Sequence, residues 1–573
     1  MIIERDVPIP MEDGVVLRAD VFRSDSGGPH PVIMTLGPYG KGVPYRDGFK
    51  PQWKWLISAH PNVLPGSSRE YMNWETVDPE IWVPWGYVCI RVDSRGSGRS
   101  PGFLDIFSKR EARDFYEAIE WAGTQPWSNG KVGLNGISYY AITQWNVASL
   151  QPPHLAAMVP WEGAADFYRD TARHGGILSN GFIDTWYPRQ VASVQHGNRK
   201  AIMDPWMKEI SSGPEADFLS ESELKKNRTD PVQDIVDRPL DSDWYRSRSV
   251  DWSKVVVPFL SAANLAGYGL HPRGNYEAFT QAASTQKWLE CHPGRHEEWF
   301  YLDQGMALQK RFLDHFLKGD DNGWEKESPV LLHLRRPFSE EVELRKESAW
   351  PLPRTHFTKI YLDASEPSAL GMNWGQPNEP SSISYVAMEE SLTFYSPPLE
   401  QDTEITGPLA AKLFAASATN DMDLFVTFQA FSPDNREVEF QGTIDPHTPL
   451  AQGWLRASHR KLDATKSLPY RPFHSHDELW PLEAGSVYEL DVEIWPTSIL
   501  LPKGYRLALQ ISGKDFERPL PPDHPNEAWV SRGSGPWLHT HPADRPKETF
   551  CGKVTLFTGG DHPSYLLLPI LEG

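Results

Sequence analysis

Along the first third of the chain, short apolar runs alternate with stretches in which apolar residues recur every three or four positions. "PVIMTLGPYG" at 31–40, "YVCIRVDSRG" at 87–96 and "KVGLNG" at 131–136 read as buried strands, each closed by a glycine-bearing turn. Between the last two, Ala112, Phe115, Ile119 and Ala122 fall on one face of a helix. Strand, helix, strand predicts a parallel sheet. A helix follows Ser138, then strands at 155–160 ("LAAMVP"), 255–264 ("VVVPFLSAAN") and 287–292 ("KWLECH"). A last helix over roughly 303–318 carries Leu308, Phe312, Leu313, Phe316 and Leu317 on its apolar face and stops at Gly319.

Residues 164–250 break the alternation. They are polar and rich in Trp, Tyr and Arg, and they predict a helical cap inserted into the sheet domain. From 346 onward, runs such as "HFTKIYLD", "MDLFVTFQAFS" and "YRLALQISG" alternate in twos between Pro, Gly, Asp and Asn clusters, which predicts an all-β sandwich. The expected organisation is therefore 1–163 and 251–345 as two parts of one α/β domain, 164–250 as its cap, and 346–573 as a β-domain.

A length of 573 residues agrees with more than one core. The 76 acidic residues outnumber the 56 basic ones for a formal charge of -20, and no basic run stands out. Nucleic acid and anionic membranes are thus not expected as partners. Three widely spaced cysteines, Cys89, Cys291 and Cys551, predict neither a disulfide framework nor a zinc site. The N-terminal stretch reads as a hairpin at the start of a fold, and "VVVPFLSAANLAGYGL" is interrupted by Pro258 and Asn264 and is too short to span a membrane. A soluble, cytoplasmic chain is expected.

The chemistry centres on "GLNGISYYAI" at 133–142. A strand that ends Gly-x-Ser before a helix has the form of a nucleophile elbow: the sharp turn lifts the serine oxygen clear of the sheet and sets the next backbone N–H beside it as an oxyanion donor. Gly136 relieves the crowding before Ser138. Tyr140 stands where a second glycine is usual. No H-E-x-x-H or other metal spacing occurs around the histidines at 292 and 296, and no cofactor motif is found.

Several stretches together resemble the cocaine esterase and X-Pro dipeptidyl-peptidase family of serine hydrolases: "GPYGKG" at 37–42, "RVDSRGSGRSPG" at 91–102, "EWAGTQPWSNGKVGLNGISYYAITQW" at 120–145, "ADFYRD" at 165–170 and "LQKRFLDHFLKG" at 308–319. "MDLFVTFQAF" and "LPKGYRLALQISG" extend the likeness into the C-terminal part. The resemblance implies an α/β-hydrolase domain followed by a jelly roll. The family elbow carries its second small residue three positions after the serine, where Ala141 stands here. It further implies an oxyanion hole from the Tyr39 hydroxyl and the Tyr139 N–H, and a general base on the loop after the last core strand, where His296 fits the pattern and His292 reads as structural.

The family's acid, in a Trp-x-Asp pattern after the strand ending near Asn264, is missing. No carboxylate occurs between Asp251 and Glu277. The acid is expected instead at Glu162, since "WEG" follows the strand ending at Pro160 at the carboxyl edge of the sheet, and neighbouring strand ends lie only ~4.8 Å apart. Asp166, in a stretch the family shares, reads as structural. Three functional readings follow. The first is hydrolysis of a small-molecule ester, or less readily an amide, through a Ser138 acyl-enzyme. The second is acyl transfer or lactone formation with the same residues, and the third a non-catalytic binding protein on a decayed hydrolase fold.

Overall fold

The computed structural model describes residues 1–339, 341–518 and 532–571. Ten strands form one sheet: β1 (Ile2–Pro10), β2 (Val16–Arg23), β3 (His30–Gly37), β4 (Val88–Asp93), β5 (Ser128–Ile137), β6 (Leu155–Trp161), β7 (Phe259–Asn264), β8 (Lys287–His292), β9 (Val330–Leu334) and β10 (Glu343–Glu347). Their order is β1-β2-β4-β3-β5-β6-β7-β8-β9-β10. The ladders from β4 through β9 are parallel, and the outer pairs at both ends are antiparallel. The central strands β4 and β7 are buried at every position, which explains their unbroken apolar runs. β7 starts at Phe259 rather than Val255, because Pro258 has no N–H to offer a ladder.

Five helices of ten residues or more accompany this sheet: α1 (Lys50–Ala59), α2 (Lys109–Gly123), α3 (Tyr139–Ala148), α4 (Pro272–Gln281) and α5 (Asp303–Leu313). The Ser108 side chain caps α2 by accepting from the Glu111 N–H. α5 continues as a wider turn over Asp314–Lys318 and ends at Gly319, whose φ of 79° suits a residue without a β-carbon. Between Trp161 and Phe259 the described chain holds helical turns of three to six residues, three of which follow one another without a break over 183–194, and two ladders of two-residue strands.

Eleven strands between Thr355 and Leu571 make the second sheet. The strand Tyr565–Leu571 pairs with both Thr355–Asp363 and Thr403–Ser417, so the ladder closes into a β-barrel around its own apolar core. Ion pairs join the two units. Arg273 at the start of α4 meets Glu493 of the barrel at 2.9 Å, and Arg173 meets Asp544 at 2.6 Å. Among the described residues no helix is long and apolar enough to cross a membrane.

Candidate active site

β5 runs into Ser138, whose φ of 57° and ψ of -112° make the sharp turn before α3. A residue with a β-carbon rarely holds such an angle, and here the surroundings enforce it. The Ser138 N–H donates to the Trp161 carbonyl at 2.9 Å, tying the elbow to β6. A β-carbon on Gly136 would stand 2.7 Å from the Tyr140 Cβ and 3.1 Å from the Glu75 carbonyl, so the strand approaches both too closely for any side chain. Tyr140 is accommodated because its ring leaves the elbow and packs edge-on to Tyr39.

The hydrogen-bond partner of the Ser138 hydroxyl is His271 Nε2, at 3.0 Å. His271 directly precedes α4, and Pro272 at the first helical position sets the entry of that helix. This corrects the expectation that His296 is the serine's partner. His296 reaches the same pocket, but both its ring nitrogens are taken by carboxylates: Nδ1 lies 2.6 Å from Glu162 Oε2 and Nε2 2.9 Å from Glu75 Oε1. The two imidazoles stack, with centroids 4.8 Å apart. In the sequence His271 is marked only by its place immediately ahead of a Pro-initiated helix, in a segment where the family pattern points to a carboxylate.

Glu162 is fully buried at the end of β6, with its N–H donating to Ala262 of β7 at 2.7 Å. Its φ of 52° is again in the left-handed region. Beyond His296, its carboxylate accepts from His292 Nε2 at 3.1 Å and from the Asn264 amide at 3.2 Å. The same Oε2 stands 3.9 Å from His271 Nδ1, which has no hydrogen-bond partner among the described residues. Glu162 thus touches His292 and His296 and faces His271. Asp166 lies outside this group and caps the next turn by accepting from the Tyr168 and Arg169 N–H groups.

Electrostatics separate the histidines. Burial would raise the Glu162 carboxyl, but His296 and His292 overcome it and hold it at about 2. Burial also opposes charge on His296, yet Glu162 and Glu75 raise it to about 10. His271 is pushed the other way, to about 3, by burial and by the neighbouring His296, with Glu162 opposing. The serine's partner is therefore an uncharged imidazole at neutral pH, the state that can accept a proton. Glu75 is raised to about 7 by burial, against the pull of His296.

Tyr39 is buried, and burial together with Glu75 keeps its phenol protonated. Its oxygen accepts from Trp186 Nε1 at 3.1 Å, which leaves the phenol hydrogen free to donate elsewhere. Tyr139 opens α3, so its N–H has no intrahelical acceptor. Its own hydroxyl points away and donates to Glu111. Tyr39 and Ser138 line two adjoining compartments. One is apolar, walled by Phe107, Ile142, Phe167, Ile183 and Leu270, with about 30 Å³ of free space. The other is the more polar of the two, with about 70 Å³, and brings Glu75, His271, Arg295 and Glu297 together with Thr443, Ile444 and Trp537 of the C-terminal domain.

Glu162, His271 and His296 also bring three ligand-type atoms within 4.8 Å of one another. Two of these groups, Glu162 and His296, are already joined by a bond of 2.6 Å, and the third, His271, bonds Ser138 through its other nitrogen.

Comparison with known proteins gives the family. Residues 13–298 match the model of the X-Pro dipeptidyl-peptidase (S15) family, and residues 322–567 that of the X-Pro dipeptidyl-peptidase C-terminal non-catalytic domain. A CocE/NonD family hydrolase from Staphylococcus aureus is 32% identical, superposes with a TM-score of 0.83, and aligns over 100% of this chain and 94% of its own. Cocaine esterase from Rhodococcus is 23% identical over 99% of this chain and 98% of its own. An α-amino acid ester hydrolase, at 17% identity and a TM-score of 0.67, shares the fold. With an elbow serine, a buried histidine–carboxylate cluster and these relatives along its whole length, the chain belongs to the cocaine esterase and X-Pro dipeptidyl-peptidase family of serine hydrolases.

Proposed function

We propose that the enzyme hydrolyses esters of small apolar acids through an acyl-enzyme on Ser138, with His271 as general base and Glu162 as the acid behind it. The observation that carries this reading is the Ser138–His271 hydrogen bond at 3.0 Å. For His271 Nε2 to accept the serine proton, Nδ1 must carry hydrogen. That N–H is the one that faces Glu162 Oε2, and a small shift of the carboxylate from His296 toward His271 would stabilise the imidazolium formed during attack. Unliganded sites of this kind often hold such bonds long and tighten them on the substrate. The Tyr39 hydroxyl and Tyr139 N–H serve as the oxyanion hole.

The two compartments support an orientation. His271 must return its proton to the leaving alcohol, so that oxygen belongs in the polar compartment, which His271 lines, and the acyl group in the apolar one, which it does not. An apolar compartment this small favours short acyl groups over long chains. The segment 164–250 acts as a cap that supplies Phe167, Ile183 and Trp186 to the apolar wall, and the barrel, a jelly roll in this reading, acts as a scaffold closing the polar side. Labelling with a fluorophosphonate, read by peptide mass spectrometry, tests the reading: the label should map to Ser138 and vanish in Ser138→Ala. A folded wild-type protein that never takes the label would overturn it in favour of a non-catalytic protein.

A further inference from the structure

Behind Glu162 the site continues as a chain of alternating acids and imidazoles that the reaction itself does not use. Glu162 Oε1 meets His292 Nε2 at 3.1 Å, and His292 Nδ1 meets Glu290 Oε2 at 2.6 Å. The other Glu290 oxygen lies 3.3 Å from His333 Nδ1. Glu162, His292 and Glu290 are almost wholly buried, and Glu290 and His333 line a separate cleft of about 1020 Å³ on the far side of Trp161. An imidazole between two ionised carboxylates has an acceptor on each nitrogen, so both nitrogens carry hydrogen and the ring is a cation.

We propose that His292 is a positioning residue, an imidazolium clamped between Glu162 and Glu290 that keeps the catalytic carboxylate ionised and fixes the oxygen that does not serve the other histidines. The inference rests on the reading of Glu162 as the acid. Removed from water, Glu162 has only His292, His296 and His271 as titratable neighbours within bonding or near-bonding distance. His271 is uncharged, and His296, shared with Glu75 as His292 is with Glu290, holds the other Glu162 oxygen at 2.6 Å. His292 itself is faced by Glu162 and Glu290 and is flanked by the rings of Trp161 and Trp299. Glu290 is faced by His292 and His333. Although burial opposes its charge, Glu290 and Glu162 raise His292 to about 9, which agrees with the geometry.

Glu290→Gln preserves the shape but removes the charge that holds the His292 proton. Glu162 then gains a proton more readily, so the acid limb of the kcat/KM profile should move up by at least one pH unit, with kcat recovered on the alkaline side of the shifted limb. His292→Gln should move the limb in the same direction. A uniform loss at all pH values with an unmoved limb would mean that the cluster only packs, and would overturn the proposal. Glu162→Gln, measured alongside, separates the two failures: full activity there removes the acid assignment itself, whereas an inactive Glu162→Gln with an unmoved limb in Glu290→Gln removes only the role of His292. Should both cluster variants fail to fold, the wild-type enzyme labelled with ¹⁵N-histidine still decides. The His292 ring should be doubly protonated at pH 8, and a neutral ring there would contradict the proposal.

Discussion

Ser138, Glu162 and Glu75 each hold a positive φ, 57°, 52° and 63°, and all three lie in the site. Residues with β-carbons adopt that region only where neighbours over-determine it, at a cost of order 1–3 kcal/mol each. The Ser138 and Glu162 turns sit at the ends of β5 and β6, and the Glu75 carbonyl accepts the Ile137 N–H at 3.1 Å, so the strain is held by the sheet edge itself. Of the two proposed oxyanion donors, the Tyr139 N–H follows from the Ser138 turn and the Tyr39 hydroxyl comes from the loop after β3. Tyr39→Phe should lower kcat by about 10²–10³ with little change in KM, since the phenol acts on charge that develops only in the transition state. A large KM effect with kcat retained would make Tyr39 a substrate-binding residue instead. The elbow was legible as glycine, serine and a following helix, and Glu162 as a carboxylate at a strand end beside β7. His271 was not legible, because its place depends on where α4 packs and on a ring stack with His296, which lies 25 residues further along the chain.

At the scale of elements, the acid and the serine's partner are brought together by the close packing of α4 against the β6 turn. Asn275 of α4 accepts from the Gly163 N–H and donates to the Pro160 carbonyl, clamping the helix to the strand that ends at Glu162. The clamp requires glycine beside it. A β-carbon on Gly274 would stand 2.4 Å from the Gly163 carbonyl oxygen and 2.6 Å from the Ala165 nitrogen, both backbone atoms that cannot swing away. Gly274→Ala should therefore lower the melting temperature and reduce kcat more than tenfold by moving His271 off Ser138. A variant with unaltered stability and activity would show that α4 can slide without cost. The strands and α2 were legible because burial imposes a period on them, of 3.6 for the helix and an unbroken apolar run for the parallel strands. The segment between β6 and β7 was legible as an interruption with helical pieces but not in its element bounds, since turns of three to six residues are too short to carry a period.

At the scale of the whole molecule, the barrel completes the site. The Thr443 carbonyl accepts the His296 backbone N–H at 3.1 Å, and Trp537 walls the polar compartment. The interface is held by buried charge: Asp544 joins Arg173 at 2.6 Å and Arg456 at 3.0 Å. Burial would raise the Asp544 carboxyl, but the two guanidinium groups overcome it and hold it well below the usual range. A carboxylate lowered in the folded state contributes stability that is present above its unfolded value and is lost as the pH falls through it. Glu162, held at about 2, adds to the same trend. The melting temperature should therefore drop steeply below about pH 4. Asp544→Asn leaves Arg173 short of its counter-charge and should cost about 3–5 kcal/mol at neutral pH, with a shallower decline on acidification. An Asp544→Asn protein as stable as wild type at pH 7 would show that the ion pair does not hold the two units together.

The assignment of His271 over His296 is the centre of the account, and the pre-steady-state rate of Ser138 acylation by a chromogenic short-chain ester tests it most directly. His271→Gln should lower that rate by about 10²–10⁴, the usual contribution of a general base. His296→Gln, whose ring nitrogens face only carboxylates, should stay within about tenfold of wild type on the same scale. The reverse result, with acylation lost in His296→Gln and retained in His271→Gln, would contradict the account.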